Sequence, residues 1–151
     1  MTSCNGQANN GDKQNETKEN EKIQFPNFNN QISDVVRTIF QDSKGNIWFG
    51  TQNGAYKFTG DSLIHIDNIK SESGKGVTIK DIAEDKDGKI WFGHTDGISS
   101  IDGTVVTNYY ESDGLISNDV WCITTDVNGN VWIGTIEGTC IFDGKGFTIF
   151  E

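Results

Sequence analysis

Short apolar runs separated by turn residues recur along the chain, and none of them has a convincing helical period. The first run of each repeat covers 36–40, 79–83 and 120–124, with Ile39, Ile82 and Ile123 in register. A Trp-bearing run, a run that follows a glycine, and a fourth run at 63–66, 105–109 or 147–150 complete each unit. Four short strands joined by tight turns predict an antiparallel meander.

An eleven-residue segment is repeated three times, at 41–51, 84–94 and 125–135. Its tryptophans are 43 and 41 residues apart, which is the period of one four-stranded blade of a β-propeller. A glycine in each segment provides the positive φ of a tight hairpin, and the Asp before it is expected to accept backbone N–H bonds. We predict that the remaining repeated positions are packing anchors between blades: Trp48, Trp91, Trp132, Gly50, Gly93 and Gly134.

The predicted fold is therefore all-β, with three four-stranded antiparallel blades at about 33–70, 76–110 and 117–151. Residues 1–22 contain almost no apolar side chain and are predicted to form a disordered tether. The segment 23–28 resembles the outer strand of a further blade, and Pro26 suits an edge strand.

Closed propellers need about 4 to 8 blades, so three blades leave apolar faces open. Two explanations stay open at this point, and a lone monomer is not expected to be the working state. Either the chain is a segment of a longer propeller, which we favour, or two copies associate into a six-bladed ring.

The net charge of -10 excludes nucleic acid and anionic membranes as main partners. No apolar run reaches the 18 residues that a membrane-spanning helix needs. Cys122 and Cys140 fall on the first and third strands of one blade, too far apart for a disulfide, so both are expected to be reduced and buried. Neither cysteine nor histidine spacing matches a metal site, and no cofactor is expected.

Three non-repeating positions share one register on the innermost strands: Arg37, Lys80 and Trp121. One alternative is that they are solvated strand ends. In a propeller the innermost strands line a central channel. The other alternative is that two cations and an indole converge at the mouth of this channel, a constellation suited to a sugar acid or another anionic glycan. Tyr109, Tyr110, Asn118 and neighbouring acidic residues are expected to extend this surface from the loop that enters the third blade.

An enzyme would need paired carboxylates or a histidine-based site at that mouth. The candidates there are Asp34, Asp81 and Asp119, and none has a partner base. His94 replaces a repeated threonine and is expected to be packed or hydrogen-bonded, and His65 has no matched ligand partner. We therefore predict a non-catalytic protein.

These repeats resemble the two-component regulator propeller repeat. The resemblance rests on the repeated Asp, Gly, Ile-Trp and Gly-Thr positions and on the segment 114–120, which links the second blade to the third. His94 and the weakly apolar segment 97–101 depart from that pattern. The resemblance implies the periplasmic sensor region of a hybrid histidine kinase, which detects polysaccharide breakdown products. It also fits secreted lipoproteins, because Thr2-Ser3-Cys4 resembles the end of a lipoprotein signal peptide with Cys4 as the lipidated residue.

The resulting prediction is a ligand-binding or sensory module in the periplasm or on the outer membrane, held there through a lipid anchor at Cys4 and coupled to a sensor kinase partner. The alternative from another class is a protein-interaction scaffold on the cell envelope.

Overall fold

The computed structural model describes residues 32–151, and their regular structure is β-strand apart from a 3-10 turn at Glu111–Asp113. The strands in this range are β1 (Val36–Gln41), β2 (Ile47–Thr51), β3 (Gly54–Phe58), β4 (Leu63–His65), β5 (Ile79–Glu84), β6 (Ile90–His94), β7 (Gly97–Asp102), β8 (Val105–Tyr109), β9 (Val120–Thr125), β10 (Val131–Thr135), β11 (Gly138–Phe142) and β12 (Phe147–Phe150). The predicted tether, Cys4 and the predicted strand at 23–28 lie outside the described residues. No helix in the described part of the chain is long and apolar enough to cross a membrane.

The strands form three four-stranded antiparallel sheets in chain order, which we call blade 1 (β1 to β4), blade 2 (β5 to β8) and blade 3 (β9 to β12). The predicted all-β meander of three blades is confirmed. β5 contacts both β1 and β9, so the first strand of each blade lies innermost. The three sheets, as far as the structure describes them, do not close into a ring.

One aspartate organises the hairpin between the first two strands of each blade. In blade 1, Asp42 accepts hydrogen bonds from the backbone N–H groups of Lys44 and Asn46, at 3.0 and 2.8 Å. Gly45 closes the turn with φ 84°, a conformation that a side chain disfavours. The other carboxylate oxygen of Asp42 accepts the indole N–H of Trp48 at 2.8 Å, a bond that the sequence did not indicate. The hairpin and the buried tryptophan are therefore fixed by one side chain.

The repeat tryptophans of blades 1 and 2 pack between their own blade and the next one. Trp48 lies against Phe92 of blade 2 and Trp91 against Phe142 of blade 3, with ring centroids 5.7 and 5.4 Å apart. Trp48 and Trp91 are almost fully buried, so their predicted role between blades is confirmed. Aromatic contacts of this kind carry much of the apolar burial that joins successive sheets.

Two of the repeated glycines allow neighbouring blades to approach closely. A Cβ atom at Gly50 would lie 2.7 Å from a methyl group of Ile79, and one at Gly93 would lie 2.9 Å from a methyl group of Val120. Ile79 and Val120 both belong to the innermost strand of the following blade. The glycine is therefore needed because the next blade occupies the space of its side chain.

The two described cysteines differ in their surroundings. Both are free, as predicted, and Cys140 is fully buried in the core between blades 2 and 3. The prediction that Cys122 is also buried is wrong, because Cys122 is exposed. Its side chain points to the face of blade 3 that lies over Gly134, and no fourth blade among the described residues covers that face.

Candidate functional site

The innermost strand of every blade has a β-bulge near its N-terminal end. In β1, Val36 pairs with Thr51 and Thr38 with Gly50, so Arg37 is the extra residue of the bulge. The same irregularity leaves Lys80 as the extra residue in β5 and Trp121 in β9. A bulge redirects a side chain and ends regular pairing, which is why bulges often lie next to functional sites.

Two of the three bulge residues are in direct contact across the joint between blades 2 and 3. The ammonium group of Lys80 lies 4.4 Å from the ring centroid of Trp121, a cation–π contact. The same ammonium group forms an ion pair with Asp119, on the segment that leads into β9. Trp121 is nonetheless 60% exposed, so most of its indole surface is open to a ligand.

Arg37 is the third bulge residue, on the neighbouring blade. Its side chain is exposed and makes no hydrogen bond or ion pair with any described residue. A guanidinium group presents five N–H donors in a planar fork that matches a carboxylate. Of the two cationic bulge residues, Arg37 is therefore the one whose N–H donors are available to an anionic ligand.

The carboxylates proposed for an enzyme are engaged in structural contacts. Asp81 accepts the backbone N–H of Ile82 with one oxygen and that of Ile123 with the other, both at 3.0 Å. The second bond joins blades 2 and 3. Asp119 is paired with Lys80, and Asp34 is exposed on the segment before β1. None of these three carboxylates is paired with a second carboxylate or a histidine.

The structure corrects the place of Tyr109. The apolar pattern ended the fourth run of blade 2 at Tyr109, but Tyr109 was also grouped with the loop that enters blade 3. In the structure it ends β8, the outermost strand of blade 2. Its ring stacks on Trp91 at 5.9 Å and contacts Phe142 and Phe147 in the joint between blades 2 and 3. Tyr109 is a packing residue at the edge opposite the bulges, where it cannot join the channel-side surface.

Tyr110 and Asn118 do lie on the loop, where they hold its shape. The hydroxyl group of Tyr110 donates to the backbone oxygen of Lys70 at 2.7 Å, and burial, followed by the charge of Asp96, raises the pKa of Tyr110. Asn118 and Glu111 exchange two hydrogen bonds of 2.8 Å, each from a backbone N–H to the other side chain. The loop is thus rigidly attached to the strand that carries Trp121.

His94 is a core residue. It is fully buried, and its Nε2 lies 2.9 Å from the hydroxyl of Ser99, which in turn donates to Asn108. Its Nδ1 accepts the backbone N–H of Asp96 at 3.3 Å. Burial lowers the pKa of His94 to about 4, so the imidazole is neutral at physiological pH. His65 lies on the outer strand of blade 1 beside Asp67, and the described residues contain no group of three metal ligands.

The bulges and the ion pair of Lys80 are the site features that the sequence did not indicate. A bulge is a difference in register between two strands, and the period of apolar residues in one strand does not encode it. The partners in the ion pair are 39 residues apart and meet only when blades stack. The shared register of the three residues was the available signal.

The three stacked meanders, with their Trp-bearing second strands, are blades of a β-propeller. The sequence profile of the two-component regulator propeller matches residues 30–53, 73–96 and 114–137. The chain therefore carries three two-component regulator propeller repeats. No curated protein matches it.

Several solved structures share this fold. The extracellular domain of a putative hybrid two-component system from B. thetaiotaomicron is 23% identical, with a TM-score of 0.63, and the match covers 80% of this chain and 18% of that one. PorZ, a surface component of the type-IX secretion system of Porphyromonas gingivalis, is 19% identical over 74% of this chain and 18% of its own, with a TM-score of 0.59. Virginiamycin B lyase from Staphylococcus aureus is 20% identical over 77% of this chain and 41% of its own, with a TM-score of 0.62. The chain thus spans less than half the length of each.

Proposed function

We propose that this protein is a non-catalytic, extracytoplasmic ligand-binding module that recognises acidic sugars through the three bulge residues Arg37, Lys80 and Trp121. The observation that carries the proposal is their shared place. The same irregularity in three inner strands turns a guanidinium, an ammonium and an exposed indole toward one end of the blades.

The chemistry of the three side chains suits a uronic acid. The apolar C–H face of a sugar ring stacks on an indole, and Lys80 occupies only one side of Trp121. A carboxylate on the sugar accepts two parallel bonds from the fork of Arg37. Lys80 is already neutralised by Asp119, so its role is to orient the indole, while Arg37 supplies the charge that the ligand needs.

The extracytoplasmic location is supported by the likeness to the extracellular domain of a two-component system. It agrees with the proposed lipid anchor at Cys4. In this proposal the module reports ligand to a sensor kinase, either on a partner protein or on the same polypeptide.

The scaffold alternative is favoured by one observation, the apolar residues left exposed on the outer faces of blades 1 and 3. PorZ, a surface component with the same fold, is compatible with it. An enzyme is the weaker alternative although a lyase shares the fold, because Asp81 and Asp119 are held by a backbone N–H and by Lys80.

Calorimetric titration with trigalacturonate and with its neutral methyl ester tests the proposal. We expect the acid to bind and the ester to bind at least about tenfold more weakly, since a charge-assisted bond contributes about 1.5–3 kcal/mol. Arg37→Ala should abolish this preference for the acid, and Trp121→Ala should weaken both ligands. Lys44→Ala, on an exposed turn at the opposite end of blade 1, is the matched control and should bind normally.

Equal affinity for acid and ester would contradict recognition of the charge. Absence of binding to either, together with specific capture of an envelope protein, would favour the scaffold.

A further inference from the structure

Equivalent positions of the three blades are buried or exposed according to whether another blade covers them. Ile82 and Ile123 are 5% and 7% exposed because blades 1 and 2 pack on them, whereas Ile39 at the same position of blade 1 is 65% exposed. Val36 is likewise exposed while its equivalents Ile79 and Val120 are fully buried. We call this side of blade 1, which no other described blade covers and which carries Val36, Ile39 and Phe49, the head face.

No other described blade covers the opposite side of blade 3 either. Phe150 is 57% exposed, whereas Ile66, its equivalent in blade 1, is 8% exposed under blade 2. Trp132 is half-buried, although Trp48 and Trp91 are almost completely covered. We call this side, carrying Trp132, Gly134 and Phe150, the tail face.

The two faces are the two halves of a joint that the molecule already forms twice. In both internal joints a tail-type face, with tryptophan and glycine, packs on a head-type face, with two aliphatic residues of the inner strand. The sequence alone favoured a segment of a longer propeller. From the match between these two faces we propose instead that a second copy of this chain covers both of them, so that blade 3 of each copy packs on blade 1 of the other and two copies close a six-bladed ring.

The internal joints specify the contacts of the proposed one. Trp132 takes the place of Trp48, which packs on Phe92, and therefore meets Phe49 of the second copy. Val36 of that copy takes the place of Ile79 and Val120, which lie over Gly50 and Gly93, and covers Gly134. Both faces need this cover because they are apolar.

The bulge residues match across this joint as well. Between blades 2 and 3, a cation and an indole meet as Lys80 and Trp121. In the proposed joint, the same two positions bring Trp121 of one copy beside Arg37 of the other, again a cation and an indole. The second copy would thereby bring its guanidinium group to the same end of the ring as Trp121.

Six blades fall within the range of about 4 to 8 that closed propellers use. Each joint between copies is head-to-tail. Such joints close a ring of two copies only when the rotation that relates one copy to the next is a half turn. Open filaments are the alternative geometry, and mass distinguishes the two.

Disulfide trapping tests the contact without any ligand. A Cβ atom at Gly50 or Gly93 would lie 3.2 or 3.8 Å from the Cβ atom of Ile79 or Val120, close to the 3.5–4.5 Å of natural disulfides. Val36→Cys combined with Gly134→Cys, in a background with Cys4→Ala and Cys122→Ala to remove competing thiols, should therefore form disulfide-linked dimers on oxidation. Val36→Cys with Lys145→Cys, on an exposed turn, is the matched control and should remain unlinked.

Sedimentation equilibrium of the full chain gives the independent measurement. We expect twice the mass of one chain, with Ile39→Glu shifting the protein to monomer and Val127→Glu, at an exposed turn position, leaving the dimer intact. The proposal is overturned if the protein has the mass of a monomer at every concentration and the cysteine pair forms no disulfide-linked dimer. Species larger than a dimer overturn the closed ring, and a dimer that survives Ile39→Glu places the contact on another surface. None of these results depends on whether an acidic sugar binds.

Discussion

At each hairpin, one aspartate satisfies the polar group that a buried tryptophan brings with it. The pairs are Asp42 with Trp48, Asp85 with Trp91 and Asp126 with Trp132, with bonds of 2.8 to 3.0 Å. Hydrogen bonds from Trp132 and Asn130 lower the pKa of Asp126 to about 2. The stability that Asp126 contributes is complete above the ordinary aspartate pKa of 3.8 and is lost as pH falls to about 2. Loss of stability in mildly acidic solution must therefore come from another group.

His94 changes its charge in that pH range, and its replacement by threonine should remove most of the loss of stability in mildly acidic solution. The pKa of His94 is 6.5 when unfolded and about 4 in the folded protein, so the unfolded chain binds more protons between these values. The stability supplied by the neutral imidazole is complete above pH 6.5 and is lost as pH falls to about 4. The loss amounts to about 3 kcal/mol.

Urea unfolding at about pH 7 and about pH 4.5 measures the difference. In the wild type the free energy of unfolding should fall between the two, and in His94→Thr most of this fall should disappear. Thr51 and Thr135 show that threonine serves the same turn in the other blades, where each hydroxyl accepts the backbone N–H two residues later. His65→Gln should keep the wild-type profile, and an unchanged fall in His94→Thr would refute the assignment.

Between elements, the space for a neighbouring blade depends on the absence of one side chain. Gly93 faces Val120 and Ile123, and a methyl group there would lie 2.9 and 3.2 Å from their methyl groups. Both contacts come from branched side chains of an inner strand that is itself fixed by Asp81. The strand has little freedom to move away.

Gly93→Ala should therefore destabilise the protein by about 1–3 kcal/mol, the usual effect of overpacking. Gly146→Ala, where an added Cβ atom meets nothing within 4 Å, is the control and should change stability by less than about 0.5 kcal/mol. Chemical denaturation of the two variants measures the effect. Equal stability of the two would show that the blades can separate to admit a methyl group.

The strands were predictable because each one has its own apolar period and its own turn residues. The contacts between strands of different blades were not. Tyr109 was grouped with the residues of the loop that enters blade 3, and only the packing of β8 on blade 3 shows it to be an anchor. Cys122 was assigned to the core because its strand is apolar, but its side chain points to an uncovered face. Both errors concern neighbours that lie a whole repeat away.

Across the whole molecule, blade 2 is the sheet that has a described neighbour on both sides. All five positions of β6 are buried, while β12 is mostly exposed. Opening of β6 requires both joints to separate, whereas β12 lies at the outer edge of blade 3.

Amide hydrogen exchange should therefore be slowest in β6 and much faster in β12, when measured at a concentration where the protein is monomeric. The equivalent strand of blade 3, β10, should be intermediate because one of its sides is uncovered. Mass spectrometry of peptides from the three strands gives the comparison. Equal protection of β6 and β10 would show that the blades open together as one unit.

The hairpin aspartate has a consequence for the history of such chains. Trp48 and Trp91 each take their hydrogen-bond acceptor from their own repeat and aromatic cover from the following one. An in-frame duplication or deletion of one complete repeat therefore leaves each indole with its acceptor. It also joins a tail-type face to a head-type face, as in the existing joints. Genes for such proteins can change their number of repeats in single recombination events, with selection acting afterwards on the few positions, such as the bulges, that differ between copies.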